Sequence, residues 1–303
     1  MQIEINAPAI AELHLVLEML LEVAGADIVE QRESFLAAAN CGEVSLEGLR
    51  VARVSGQIVG AVLAVCQPDG TAHVWPPRLT ANAPPEAGPA LAQACCHWIE
   101  GSGVSMAQCL TRLEDHAAHQ LLEHLGFEGL ADLVCWQHDL EDILVANWPE
   151  ACETVEFSQL TAEHFERVIQ QTYAGSQDCT RLHGRRSARD SLAAHRLAAN
   201  DDSTHWRLYR RGAEDVGVVL CVDPPDQRMW ELLYMGVVPK FRQRGFGLAM
   251  LSETLLQARD AGAQGVFLAA DAANDAAANL YVACGFLEAF RQRIHVWFPR
   301  PRI

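Results

Sequence analysis

Val237-Val238-Pro239-Lys240-Phe241-Arg242-Gln243-Arg244-Gly245-Phe246-Gly247-Leu248 is the stretch on which the reading of this chain turns. It follows a strand-like run, Trp230-Glu231-Leu232-Leu233-Tyr234-Met235-Gly236-Val237. It opens a helix whose Leu248, Leu251, Leu255 and Ala258 fall at helical spacing. A strand, a glycine-containing loop and a helix N-terminus together make an anion site. Amides point outward, the helix dipole is positive there, and glycine lets phosphate oxygens approach the main chain. Arg242 and Arg244 add charge. The sequence has no GxxxxGK(S/T), which disfavours a nucleoside-triphosphate loop. It also has no GxGxxG with a downstream ribose-binding acid, which disfavours a dinucleotide fold.

Working outward, the chain repeats itself. Asp115-His116-Ala117-Ala118-His119-Gln120-Leu121-Leu122-Glu123-His124-Leu125-Gly126-Phe127 matches, without a gap, Asn274-Asp275-Ala276-Ala277-Ala278-Asn279-Leu280-Tyr281-Val282-Ala283-Cys284-Gly285-Phe286. Both read as a helix ending at glycine, with an apolar strand after it. Upstream, Val51–Leu63 and Trp206–Leu220 each read as strand, turn and strand. Each copy therefore predicts an α+β fold: a helix-rich start, three antiparallel-type strands, helix, strand, helix and closing strands around a central mixed sheet. A polar, proline-containing connection through Asn147-Trp148-Pro149-Glu150 places the break near 148, giving domains 1–147 and 148–303.

The loop after a strand ending in Val-x-Pro, a helix, a strand, and then Asn274, Ala277, Leu280, Tyr281, Gly285 and Phe286 together resemble the GNAT acyltransferases. The resemblance is clear over roughly 152–299 and faded over 1–140, as in tandem members of the superfamily. It implies two tandem GNAT-like domains and transfer of an acyl group, acetyl in the first place, from acetyl-CoA as co-substrate. The acceptor it implies is an amine of a small molecule or peptide, attacking directly in a ternary complex. Amides of Arg242, Gln243, Arg244, Gly245, Phe246 and Gly247 would cradle the CoA pyrophosphate. Met235, Gly236 and Val237 would lie beside the pantetheine, and Asn274 would hydrogen-bond near that arm. Tyr281 would stand at the thioester sulfur as general acid, since a phenol of pKa ~10 donates to a thiolate without standing ionised at neutral pH. Glu231 is the candidate base, because a carboxylate partly removed from water has a raised pKa. His183 and His205 are lesser candidates for the same role. A noncatalytic acyl-CoA-binding or regulatory module is the alternative.

The first copy departs from this pattern where the chemistry lies. Its loop reads Asn82-Ala83-Pro84-Pro85-Glu86-Ala87-Gly88-Pro89-Ala90, in which prolines remove donors and Glu86 would face the phosphates. Leu122 stands at the position of the acid, and Asp115 replaces the asparagine. Domain 1–147 is thus expected to be a degenerate GNAT-like domain without a CoA site, kept for packing and for shaping the acceptor site.

Composition bounds the rest. Half of the 303 residues are hydrophobic and 20% are charged, which supports a filled core and argues against disorder. The formal net charge of −16 disfavours nonspecific binding to nucleic acid or an anionic membrane. Ten cysteines are scattered without a CxxC pair, and the histidines show no convincing metal spacing. No basic signal-type start and no run near the ~20 residues of a membrane span is visible. The expectation is a reduced, cytoplasmic enzyme that needs no metal.

Overall fold

The computed structural model describes residues 2–21, 28–42, 44–178, 180–182, 187–224 and 228–299. In chain order the elements of the first copy are β1 (Ile3–Asn6), α1 (Leu13–Leu21), α2 (Ile28–Asn40), β2 (Arg50–Val54), β3 (Gln57–Cys66), β4 (Thr71–Leu79), α3 (Ala87–Ser102), β5 (Met106–Arg112), α4 (His116–His124) and β6 (Glu128–His138). Those of the second are β7 (Glu153–Glu156), α5 (Ala162–Tyr173), α6 (Ala188–Ala198), β8 (His205–Arg211), β9 (Glu214–Val222), β10 (Met229–Val237), α7 (Phe246–Asp260), β11 (Gly265–Asp271), α8 (Asp275–Ala283) and β12 (Leu287–Trp297). Both copies thus have the α+β order read from the sequence.

The chain forms two compact units, one of residues 1–130 with 293–303 and one of residues 131–292. This division differs from a cut at 147/148 in two segments, because the closing strands are exchanged between the copies. In the first unit the sheet runs β1-β2-β3-β4-β5, and the end of β12 lies next to β5. There Thr111 and His295 share a 3.2 Å hydrogen bond, and Phe127 packs on Trp297 with ring centroids 5.7 Å apart. In the second unit the order is β6-β11-β10-β9-β8-β7. Here β6 pairs antiparallel with β11 from Val266↔His138 to Asp271↔Leu133. Sequence alternation is shared by both closing strands, so nothing local tells a strand which of two similar sheets it completes.

Period-two alternation on β9 explains how the second unit buries both faces of its sheet. Val218, Leu220 and Val222 meet Phe165, Val168 and Ile169 of α5 and Leu192 of α6. Val219 and Cys221 point the other way, toward Met250, Leu251 and Leu255 of α7 and Tyr281 of α8. In the first unit Ala61, Leu63 and Val65 of β3 pack on Val16, Leu17 and Leu20 of α1, while Val62 and Ala64 face Leu91 and Cys95 of α3. Helix α5 starts at Thr161, whose hydroxyl accepts the His164 amide at 3.2 Å.

Candidate active site

The site begins as a fork in the second sheet. Strand β10 pairs in parallel with β11 through Met229↔Gly265, Trp230↔Val266 and Glu231↔Phe267, and the pairing stops there. Its antiparallel pairing with β9 continues to Val237↔Gly217, with a register shift between Leu232 and Tyr234. Beyond Glu231 one edge of β10 is therefore left without β11, and its amides and carbonyls need another partner or water. Met235, Gly236 and Val237 lie on this edge, half-buried.

The anion loop follows directly. Val238 donates to the Val216 carbonyl at 2.9 Å, Pro239–Phe241 make one tight turn, and α7 begins at Phe246. Gln243 has φ 57° and the capping Gly245 φ 86°, so the chain reverses hand twice and the first amides of α7 face outward without intrahelical acceptors. Phe241 and Phe246 anchor the loop from below, edge to face at 5.3 Å and both fully buried. A Cβ on Gly247 would lie 3.5–3.7 Å from Leu280, Val237 and Met235, so the helix start sits beside the open edge of β10.

The side chains of the two arginines are tied down within the protein. The guanidinium of Arg242 donates to the carbonyls of Val237 (2.9 Å), Ala174 (2.8 Å) and Thr172 (2.6 Å), and its amide donates to Pro239. Its side chain ties the end of α5 to the end of β10. Arg244 pairs with Glu150, which also binds Arg211 at 2.6 Å, and stacks over Phe241 and Phe246. Lys240 pairs with Glu214. Carboxylates balance Arg244 and Lys240 and carbonyls occupy Arg242, which leaves main-chain amides as the loop's principal anion donors.

Gly236 must be glycine. A Cβ there would meet Thr172 Oγ1 at 2.7 Å and the Tyr234 hydroxyl at 2.9 Å. Thr172 gives its one proton to the Ile169 carbonyl at 2.7 Å, so the 2.6 Å contact between the two hydroxyls has Tyr234 as donor.

Tyr281 is 8% exposed and lies between Trp136 (6.1 Å) and Phe286 (5.7 Å). Burial first, and then the charge of Asp178, push its phenol above the ordinary range. Glu231 is half-buried at the fork, and burial raises its carboxyl. Its charge is felt by Cys135 and Cys221. Asn274 caps α8, its Oδ1 accepting the Ala277 amide at 3.2 Å, which commits that oxygen and aims the helix carrying Tyr281. Its side-chain amide is a donor chemistry that capping does not use.

His205 lies on β8. Its ring packs on Trp230 at 3.9 Å, and it pairs with Cys221, on the sheet face opposite Glu231. His183 lies outside the described residues. Asp178, Tyr234, Thr172 and Trp136 were not legible as site residues. Asp178 accepts the Asp271 amide at 3.2 Å. Burial first, with a smaller part from the Asp178 charge, raises the Tyr234 phenol. Among the described residues no group of three or more His, Cys, Asp or Glu side chains could hold a metal ion. Nor is any helix among them long and apolar enough to cross a membrane.

The first unit has a matching fork, differently filled. Strand β4 pairs with β5 only from Thr71↔Met106 to Val74↔Cys109, yet runs on beside β3 to Leu79↔Gly60. The unpaired part of β4 contains Pro76 and Pro77, which have no N–H to offer. Arg78 and Asp115 form an ion pair at 2.8 Å, and Asp115 caps α4 just as Asn274 caps α8. Leu122 is 1% exposed in the apolar core.

Residues 169–286 match the model of the acetyltransferase (GNAT) family. No curated protein sequence matches the chain. Among solved structures, a GCN5-related N-acetyltransferase from Sphaerobacter thermophilus is similar at TM-score 0.69 and 19% identity, over 99% of this chain and 97% of that one. A tandem GNAT protein from the clavulanic acid biosynthesis pathway, without AcCoA, aligns over 100% of both chains at TM-score 0.60 and 13% identity. A GCN5-related glucosamine N-acetyltransferase region in a fungal multi-domain β-N-acetylglucosaminidase aligns at TM-score 0.67 and 14% identity, over 98% of this chain and 38% of that one. At these identities the likenesses speak for the fold.

Proposed function

We propose, since residues 169–286 match the model of the acetyltransferase (GNAT) family, that the protein transfers an acetyl group from acetyl-CoA to an amine of a small molecule or peptide. The observation that carries this reading is the start of α7 beside the open edge of β10, where a Cβ on Gly247 would lie 3.5–3.7 Å from Leu280, Val237 and Met235. The buried Tyr281 belongs to the same apolar cluster as Met235 and Val237.

The residues fit the co-substrate's chemistry. Outward amides at a helix start suit a pyrophosphate, and a free strand edge suits the amide-bearing pantetheine arm. Bound acetyl-CoA supplies an activated acyl carbon that the protein has no need to generate. Tyr281 holds a proton for the departing sulfur, and its raised pKa keeps that proton in place at neutral pH. Glu231, lifted by burial toward neutrality, serves as proton acceptor for the amine, directly or through water. Asn274 orients α8 and offers its amide toward the arm. The side chains of Arg242 and Arg244 hold the loop's shape, while the backbone of that loop meets the phosphates.

The first unit acts as a GNAT-like fold without a CoA site. Pro76 and Pro77 strip the strand edge of donors, and the Arg78–Asp115 pair spans the region an arm would need. The enzyme works in the cytoplasm without a metal.

The test is release of free CoA from acetyl-CoA with a panel of glucosamine, spermidine, lysine and a peptide with a free N-terminus. Glucosamine enters the panel because of the acceptor named for the fungal region. Transfer to at least one amine is expected. Tight binding of acetyl-CoA without turnover on any amine would favour a noncatalytic acyl-CoA-binding module instead.

A further inference from the structure

The sheet of the second unit is covered unevenly on the face that carries Glu231. Trp230 and Leu232 of β10 point to the α7 side, so Glu231 between them points away from it. Val266 and Leu268 of β11 fix Phe267 in the same way. Glu231 and Phe267 are also partners in the last paired rung before the fork, which sets them side by side on one face. On this face α5 and α6 roof β8, β9 and β10, where Leu233 and Tyr234 join their apolar cluster. Strands β11 and β6 have no such roof among the described residues. Ala269 and Gln137, the latter paired with Phe267, are exposed there.

Phe267 has a partner on this open part of the face. Phe290 of β12 stacks with it, ring centroids 6.2 Å apart and planes 25° from parallel. Phe290 is 48% exposed, and among the described residues it is the one exposed aromatic. Neither ring belongs to the apolar clusters that hold the units together. Single exposed apolar side chains are ordinary on protein surfaces. This pair is set apart by its parallel stacking and by its place, one rung from the carboxylate at the fork.

That placement sets the chemistry of a ligand. Neighbouring strands lie ~4.8 Å apart, so a group resting on the two rings is about one strand spacing from a nitrogen at Glu231. A two-carbon linker covers that span. Flat aromatic faces attract one another beyond the area they bury, and a polyamine or a short amino alcohol offers no such face. We propose that Phe267 and Phe290 form the acceptor subsite for an aromatic body, so that the preferred amines carry an aryl group about two carbons from the nitrogen. This rests on the acetyl-transfer reading above, and it names the class of amine within it.

The test compares kcat/KM for 2-phenylethylamine and for ethanolamine, on the full chain with saturating acetyl-CoA. Both are primary amines on a two-carbon chain, and they differ in carrying a ring or a hydroxyl. The wild type should favour 2-phenylethylamine by roughly tenfold or more. Phe290→Ala should cut that ratio about tenfold, chiefly through KM for the aromatic amine, while KM for acetyl-CoA stays unchanged. Phe290→Tyr keeps a stacking face and should restore the ratio, and Phe290→Gln decides the matter where Ala does not fold. Equal wild-type kcat/KM for the two amines, or a ratio that Phe290→Ala leaves intact, overturns this proposal and leaves acetyl transfer standing. An intact ratio together with a dimer that Phe290→Ala breaks in sedimentation overturns it in favour of a contact between copies of the chain. A wild-type protein that transfers to neither of these amines nor to any of the panel above overturns the acetyl-transfer reading, and this proposal falls with it.

Discussion

Trp136 and Tyr281 pack at a tilt with ring centroids 6.1 Å apart, although one belongs to the closing strand of the first sequence copy and the other to the last helix of the second. The residue proposed as general acid is thus packed by a strand that a cut between the copies would remove. Val134, Trp136 and Leu140 are all buried in the core of the 131–292 unit. Each such side chain contributes about 1.5–3 kcal/mol by burial, and a domain's whole stability is about 5–15 kcal/mol.

A fragment 150–303 should therefore fail to fold cooperatively, whereas 131–292 should fold. Circular-dichroism melts of the two decide it. A sharp transition for 150–303 near that of 131–292 would mean that β6 is dispensable to the unit.

Tyr281→Phe should keep the ring in its place between Trp136 and Phe286 and keep acetyl-CoA affinity. The proton donor is lost, so turnover on a competent amine should drop ~100- to 10,000-fold. Single-turnover rates are the measurement, because they report the chemical step even where product release limits the steady state.

Parts of this site were legible in sequence for a physical reason. The Gln243–Gly247 loop and the Asn274-to-Phe286 helix are local: turn hand, capping and helical spacing are set within a dozen residues. The exchanged strands were not legible, because β6 and β12 carry similar alternation and their sheet partners lie far along the chain. Arg242 was not legible as a tether for the same cause. Its guanidinium partners, the carbonyls of Thr172 and Ala174, lie 70 and 68 residues away. Asp178 had no sequence signal at all, since its long-range partner, the Asp271 amide, lies 93 residues away.

Glu231 gives a pH prediction with a definite sign. Burial raises its folded pKa above the unfolded value, so the folded state holds the proton more tightly. Stability is therefore lost as pH rises from the ordinary carboxylate range through the raised value. Glu231→Gln should melt higher than wild type at pH 7, and the difference should vanish below about pH 4. An equal difference at both pH values would show that packing, not ionisation, separates the two proteins.

Gly245 and Gly247 should respond differently to alanine. At Gly245 the left-handed φ of 86° makes any L-side chain strained by roughly 1–2 kcal/mol, although the space beside it is open. At Gly247 a Cβ meets only ordinary contacts at 3.5–3.7 Å, so Gly247→Ala should be tolerated. Gly247→Leu should not be, because the added atoms would run into Met235, Val237 and Leu280 next to the open edge of β10. Comparing thermal stability with acetyl-CoA affinity for the three variants separates the causes. Gly245→Ala should lower both, and Gly247→Leu should lower affinity most.

The two forks make the sharpest contrast, and it can be counted. Both units stop pairing their fourth and fifth strands early, so each offers a gap of similar origin. In the second unit the gap is edged by Met235, Gly236 and Val237, which have amides to donate. In the first it is edged by Pro76 and Pro77, which have none, and the Arg78–Asp115 pair stands at 2.8 Å beside it. Breaking that pair would leave one charge half-buried, so a ligand cannot enter at little cost. Calorimetric titration of acetyl-CoA into the full chain should give one site per chain. Gly245→Ala should weaken that single isotherm, whereas Arg78→Gln should leave it unchanged. A stoichiometry of two, or a weakened isotherm in Arg78→Gln, would place a CoA site in the first unit and remove the division of labour argued from these residues.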